Sequence, residues 1–149
     1  MRPCDHSDRT SIVEVAKICH PELNVNETDV KILLANYNFV GMANQAGRMI
    51  GFVSSVSTAQ RTTILDIGVL PDYRRRGIAY QLISEHIATA YESLKTPWGH
   101  EIKVKIPNAY RYPGVDFYES MGFTEVTESQ DAKYAVMSFI VREPVSVEF

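Results

Sequence analysis

The chain has 149 residues, 45% of them hydrophobic and 22% charged, and a formal net charge of -3. That length suits one domain, residues 1–149, with its own core, and the small acidic excess argues against a nucleic-acid partner while leaving room for a cationic substrate. No stretch approaches the roughly 18 apolar residues of a membrane span, and the opening MRPCDHSDRT is charged where a secretory signal would be apolar, so no membrane partner and no export are expected. Cys4 and Cys19 lie in no metal-ligand or C-x-x-C spacing, and His6, His20, His86 and His100 are scattered. No metal site is expected, and a cytoplasmic location fits.

After a short extended start, Ile12, Val15, Ala16 and Cys19 fall at helical spacing, and His20-Pro21 reads as a stop signal, which predicts a helix over 7–19. Asn26, Thr28 and Asp29 supply N-cap candidates for a second helix running to about Asn38. FVGMANQ and RMIGFVSSVS then predict a hairpin around Gln45-Ala46-Gly47, and RTTILDIGVL a third strand of that run. Pro71 breaks it. Ile78, Ala79, Leu82, Ile83, Ile87, Ala90 and Leu94 form the apolar stripe of the longest helix, to Lys95, and Ile102, Val104 and Ile106 alternate as in a half-exposed strand. A loop rich in proline and aromatics leads to a short helix over 115–121 ended by Gly122, with closing strands around 123–127 and 133–142. The order β-α-α-β-β-β-α-β-α-β-β belongs to an α/β (α+β) domain with one mixed sheet.

The densest local signal is LDIGVLP followed by DYRRRGIAYQLI: strand, tight turn with a glycine, amphipathic helix. A helix start leaves amides without partners and a partial positive charge, and Gly77 lets a phosphate approach the backbone closely. Arg74, Arg75 and Arg76 stand at the pole where the dipole favours acids, a conflict that a polyanionic ligand resolves; a plain solvated turn is the alternative. No Gly-Lys-Ser/Thr follows and no G-x-G-x-x-G series surrounds Gly77, so neither a Walker loop nor a dinucleotide fingerprint is present.

Arg74, Gly77 and Ala79 occupy the fixed places of Gln/Arg-x-x-Gly-x-Gly/Ala, and Phe117-Tyr118-Glu119-Ser120-Met121-Gly122-Phe123 is similar to a Tyr-Glu-x-x-Gly-Phe segment. With the lead-in Val69-Leu70-Pro71-Asp72-Tyr73 and the opening Arg2-Pro3, these segments resemble the GNAT (GCN5-related N-acetyltransferase) family over most of the chain. The resemblance implies a mostly antiparallel sheet of six to seven strands flanked by about four helices, with the fourth and fifth strands splayed around acetyl-CoA. It implies that Arg74 begins the loop and that amides of Arg75, Arg76, Gly77, Ile78, Ala79 and Tyr80 hold the pyrophosphate. A fourth-strand amide among Ile67, Gly68 and Val69 would polarise the thioester carbonyl. Where the family often has an asparagine, seven residues before the tyrosine, this chain has Arg111; Asn108, three residues earlier in the loop PNAYRYPGVD, is the remaining candidate for that cofactor-facing place.

Acyl transfer to an amine needs a proton removed from the ammonium and one returned to the departing thiolate. The resemblance assigns the second task to Tyr118; the alternative is an amphipathic tyrosine packed beside Val115 and Met121. Asp66 interrupts the apolar run 64–70, and a carboxylate there could remove the amine proton through water or serve as a structural rim residue. His100 and Glu101 are weaker candidates. No Ser-His-Asp or Cys-His constellation is discernible, which favours direct transfer. The expectation is an acetyl-CoA-dependent N-acetyltransferase without a metal, acting on an amine-bearing small molecule, a protein N-terminus or a lysine. A CoA-binding regulatory module without turnover is the alternative. Residues 134–140 are apolar enough for the edge of a homodimer or for core.

Overall fold

The computed structural model describes residues 1–93, 99–107, 111–126 and 134–141. Seven strands are hydrogen-bonded in the order β1-β2-β3-β4-β5-β7-β6: β1 Arg2–Pro3, β2 Asn38–Ala43, β3 Met49–Ser57, β4 Arg61–Val69, β5 Glu101–Pro107, β6 Thr124–Glu125 and β7 Tyr134–Ile140. The helices are α1 Arg9–Cys19, α2 Glu27–Asn36, α3 Ile78–Ser93 and α4 Arg111–Ser120. The ladders β1–β2, β2–β3, β5–β7 and β6–β7 are antiparallel. The chain divides into two compact units, residues 1–56 with 64–86 and residues 57–63 with 87–149.

In the first unit, Asp5 and Asp8 form a capping box around the 3-10 turn His6–Asp8 that leads into α1. Asp8 also receives both guanidinium nitrogens of Arg2, at 2.9 and 2.5 Å, and this hydrogen bonding holds its carboxyl below the usual range. Asn26 and Asp29 make the equivalent box at the start of α2. That helix ends at Asn36, because Tyr37 is already extended and Phe39 and Val40 pair with Ser54 and Val53 of β3. Ile12, Val15 and Ala16 of α1, Val30 of α2, Phe39 and Phe52 fill one apolar cluster. Gly68 is placed by packing: a β-carbon there would stand 3.3 Å from both Cys19 Sγ and the Phe52 ring, so its absence lets the end of α1 lie close on β4.

In the second unit, Ile102, Val104 and Ile106 of β5 are buried, and β5 pairs with β7 along its whole length. The short helix starts at Arg111, four residues earlier than the sequence suggests. Pro113 falls in its first turn, where a missing N–H removes no helical bond, so the proline initiates the helix instead of prolonging the loop. The expected strand ends at Thr127, Lys133 and Arg142, and helix residues Leu94 and Lys95, lie outside the described residues.

Candidate active site

β4 ends in the turn that carries the arginines. Leu70 donates its amide to Ile50 O at 2.9 Å, Pro71–Tyr73 makes one 3-10 turn, and Arg74 N closes on Pro71 O at 3.2 Å. The three arginines then take different tasks. Arg74 Nε donates to Val69 O at 2.9 Å and ties the turn to the strand. Arg75 is exposed and held at φ +62°, and Arg76 lies 5.2 Å from the Tyr73 ring centroid as a cation–π pair. Gly77 has φ +79°, with no atom within 4 Å of where a β-carbon would stand, so glycine is required by backbone conformation and the space over it is open. The first bond of α3 runs from Gln81 N to Gly77 O at 3.0 Å, which leaves the amides of Ile78, Ala79 and Tyr80 ahead of the ladder. Ile78, Leu82 and Ile83 bury the opposite side of this helix start. An open, glycine-containing helix start with exposed cations is what a polyanion needs.

A second cluster forms on the same strand. Because Leu70 turns its backbone groups toward β3, the alternation of a strand turns those of Val69 and Ile67 to the other edge. There the carbonyls are taken by side chains from the end of α1. Cys19 Sγ donates to Val69 O at 3.3 Å, beside the Arg74 bond, and His20 Nε2 lies 3.1 Å from Ile67 O. The same nitrogen is 2.9 Å from Asp66 Oδ1, and His20 Nδ1 is 3.8 Å from Glu22 Oε1. The hydrogen bond to Asp66 raises the His20 pKa from its ordinary 6.5 against the opposing effect of burial, and burial pushes the Cys19 thiol up. Asp66 is therefore half of an ion-pairing dyad. In the sequence His20 reads only as part of a helix stop, and a histidine at a helix C-terminus, next to a proline that redirects the chain, is the one hint of more.

In the second unit, Tyr118 on α4 is buried, 4% exposed, with its ring edge-on to Phe117 at 5.0 Å and to Phe123 at 5.2 Å. The aromatic neighbours, with Phe123 from beyond Gly122, set the ring's orientation. His100 and Glu101 have structural partners: His100 Nε2 is 2.8 Å from Thr62 Oγ1 and Nδ1 is 3.3 Å from Ala59 O, while Glu101 accepts from Arg61 at 2.6 Å and from Ser138 at 2.7 Å. Asn108 lies outside the described residues. Among the described residues no group of three or more His, Cys, Asp or Glu could hold a metal ion, and no helix is long and apolar enough to cross a membrane.

A strand running into an open helix-start turn, with seven strands in one sheet and four helices among the described residues, fits the class that the family comparison shows: the chain belongs to the GNAT acetyltransferases, its residues 35–125 matching the acetyltransferase (GNAT) domain. Among its relatives, the [ribosomal protein bS18]-alanine N-acetyltransferase of Escherichia coli (strain K12) is 33% identical over 85 residues, covering 56% of this chain and 53% of that protein. The chain thus spans about half the length of the curated relatives it matches. The crystal structure of the Escherichia coli ribosomal-protein-S18-alanine N-acetyltransferase superposes with a TM-score of 0.76 over 98% of this chain and 96% of that one, at 17% identity. The PaiA N-acetyltransferase of Thermoplasma acidophilum, solved with coenzyme A, gives a TM-score of 0.76 over 95% and 100% at 17% identity. An aminoglycoside 6'-N-acetyltransferase, also with coenzyme A, gives 0.73 over 97% and 100% at 13% identity. These likenesses show the fold.

Proposed function

We propose that this chain is a single acetyltransferase domain that passes the acetyl group of acetyl-CoA directly to a primary amine. The observation that carries the reading is the open helix start at Gly77, continuous with a strand whose Asp66 is paired to His20. Amides of Gly77, Ile78, Ala79 and Tyr80, with Arg75 and Arg76, would hold the pyrophosphate. A β4 amide among Ile67, Gly68 and Val69 would donate a hydrogen bond to the thioester carbonyl oxygen. The Asp66 carboxylate belongs to the centre that removes the amine proton, and the Tyr118 hydroxyl returns a proton to the CoA sulfur. Relatives named for a ribosomal-protein alanine and for aminoglycosides support an amine acceptor of either protein or small-molecule type. The free thiols of Cys4 and Cys19 fit a reducing, cytoplasmic setting.

Release of CoA thiol from acetyl-CoA, measured with polyamines, amino acids, aminoglycosides, and peptides bearing free N-termini or lysines, tests this reading. Amine-dependent release is expected. Binding of acetyl-CoA without release on any amine would favour a regulatory module, and failure to bind acetyl-CoA would overturn the reading. Tyr118→Phe is expected to lower kcat by about a hundredfold with acetyl-CoA affinity little changed; an unchanged kcat would remove Tyr118 from the mechanism.

A further inference from the structure

We propose that His20 takes the proton from the acceptor amine at its Nδ1, and that Asp66 is the positioning residue that holds the ring for this task. The assignment rests on the acetyl-transfer reading above and names the group that performs one of its steps.

The geometry determines which nitrogen can act. Asp66 Oδ1 at 2.9 Å and the Ile67 carbonyl at 3.1 Å are both pure acceptors, so His20 Nε2 carries a hydrogen whether the ring is neutral or charged. The neutral ring then keeps its lone pair on Nδ1. A carboxylate that orients an imidazole through one nitrogen and leaves the other basic is the arrangement by which histidine serves as a general base in hydrolases. The His20 side chain is 20% exposed, open to an amine yet anchored on two sides. Nδ1 faces Glu22 Oε1 across 3.8 Å, too wide for a hydrogen bond, and an ammonium could bridge the gap by donating one hydrogen to each atom. The charged groups acting on the ring are Asp66 from β4 and Glu22 from the turn after α1; Arg74 and Cys19 are engaged with the neighbouring Val69 carbonyl. Two carboxylates favour the imidazolium, which makes the neutral ring a stronger base.

A substrate ammonium gives one proton to Nδ1, leaving a neutral amine and an imidazolium paired to Asp66. The nitrogen lone pair forms the C–N bond to the acetyl carbonyl carbon, the C–S bond breaks, and its electron pair leaves on the CoA sulfur. The second nitrogen proton goes to that sulfur, by way of Tyr118 in the proposed scheme, and His20 releases its proton to water. The products are the acetamide, free CoA thiol and one proton.

The test combines the pH dependence of kcat/KM, with one amine throughout, for the wild type, His20→Gln and Asp66→Asn, with 15N chemical shifts of the His20 ring. The wild type is expected to gain activity as an ionisation above the ordinary histidine value of 6.5 is passed. Asp66→Asn should move that ionisation down while retaining part of the turnover, and His20→Gln should abolish it and lower kcat/KM by about a hundredfold or more. The ring shifts should report hydrogen on Nε2 in the neutral form. A His20→Gln variant with wild-type rate and profile, loss of turnover in Asp66→Asn alone, or hydrogen on Nδ1 would each overturn the assignment. Wild-type protein silent toward every amine would instead sink the acetyl-transfer reading, and the assignment with it.

Discussion

His20 and His86 lie in the same unit and have been driven in opposite directions by their surroundings. His20, at the end of α1, is partly exposed and shares a hydrogen with a carboxylate, which stabilises its charged form. His86 lies one turn beyond Leu82 and Ile83 on α3, is 6% exposed, and its Nε2 finds no hydrogen-bond partner among the described residues. Burial alone pushes its pKa from 6.5 down to about 4. The side chain is the same, and its partner decides whether it works as a base or stays neutral as a core residue. A titratable group that is buried without a carboxylate contributes a pH-dependent liability instead of a proton-transfer site.

The contrast can be broken most sharply at His20, where His20→Gln is expected to cost about a hundredfold or more in kcat/KM while an apolar replacement of His86 leaves the activity ionisation in place. The next effect is on stability. Because the folded-state value of His86 is depressed, the unfolded chain takes up a proton between pH 6.5 and about 4 that the folded chain does not. The stability tied to the neutral ring is whole above pH 6.5 and is lost as pH falls toward 4, on the order of 3 kcal/mol across the window. Denaturant melts at several pH values should show His86→Leu removing that slope; an unchanged slope would mean the ring is hydrated or paired. The His20–Asp66 pair has the opposite sign: its contribution is full below pH 6.5 and fades as pH rises through the raised folded value, so Asp66→Asn should flatten the alkaline side of the same curve.

Smaller effects separate structural histidines from the working one. Thr62→Val strands His100 Nε2 and the Ser57 hydroxyl, and is expected to destabilise by about 1–3 kcal/mol without touching the pH profile of activity. Glu22→Gln, at an exposed carboxylate, should raise KM for a cationic amine only a few-fold, within the roughly 1 kcal/mol that exposed ion pairs supply, with kcat nearly unchanged. A large loss of kcat there would give Glu22 a greater share in the proton transfer.

Elements with local codes were legible in the sequence. The apolar stripe of α3 at Ile78, Leu82 and Ile83, the alternation in β5, the turn at Asn44 and Gly47, and the helix start after Gly77 depend on residues within a turn or two of one another, and each is found. The resemblance of the Arg74–Ala79 and Tyr118–Phe123 segments to the GNAT family came from contiguous stretches for the same reason. The ends of elements were less legible: α2 yields to β2 at Tyr37 because strand pairing across the sheet outweighs local helical preference, and α4 begins at Arg111 because Pro113 suits a first turn.

Asp66 stood out in the sequence because a carboxylate in an apolar strand demands a partner, yet nothing local could say which. The partner is 46 positions away, and only the packing of α1 against β4 over Gly68 brings His20 to it and to the Ile67 carbonyl. The three arginines read alike in the sequence, and tertiary contact separated them, Arg74 to the Val69 carbonyl and Arg76 to the Tyr73 ring. Hydrophobic periodicity and turn chemistry are short-range properties of the chain, so sequence determined the elements and the open turn at Gly77. The direction of a pKa and the identity of a base depend on which distant groups share a few ångströms, and the tertiary structure alone decided those.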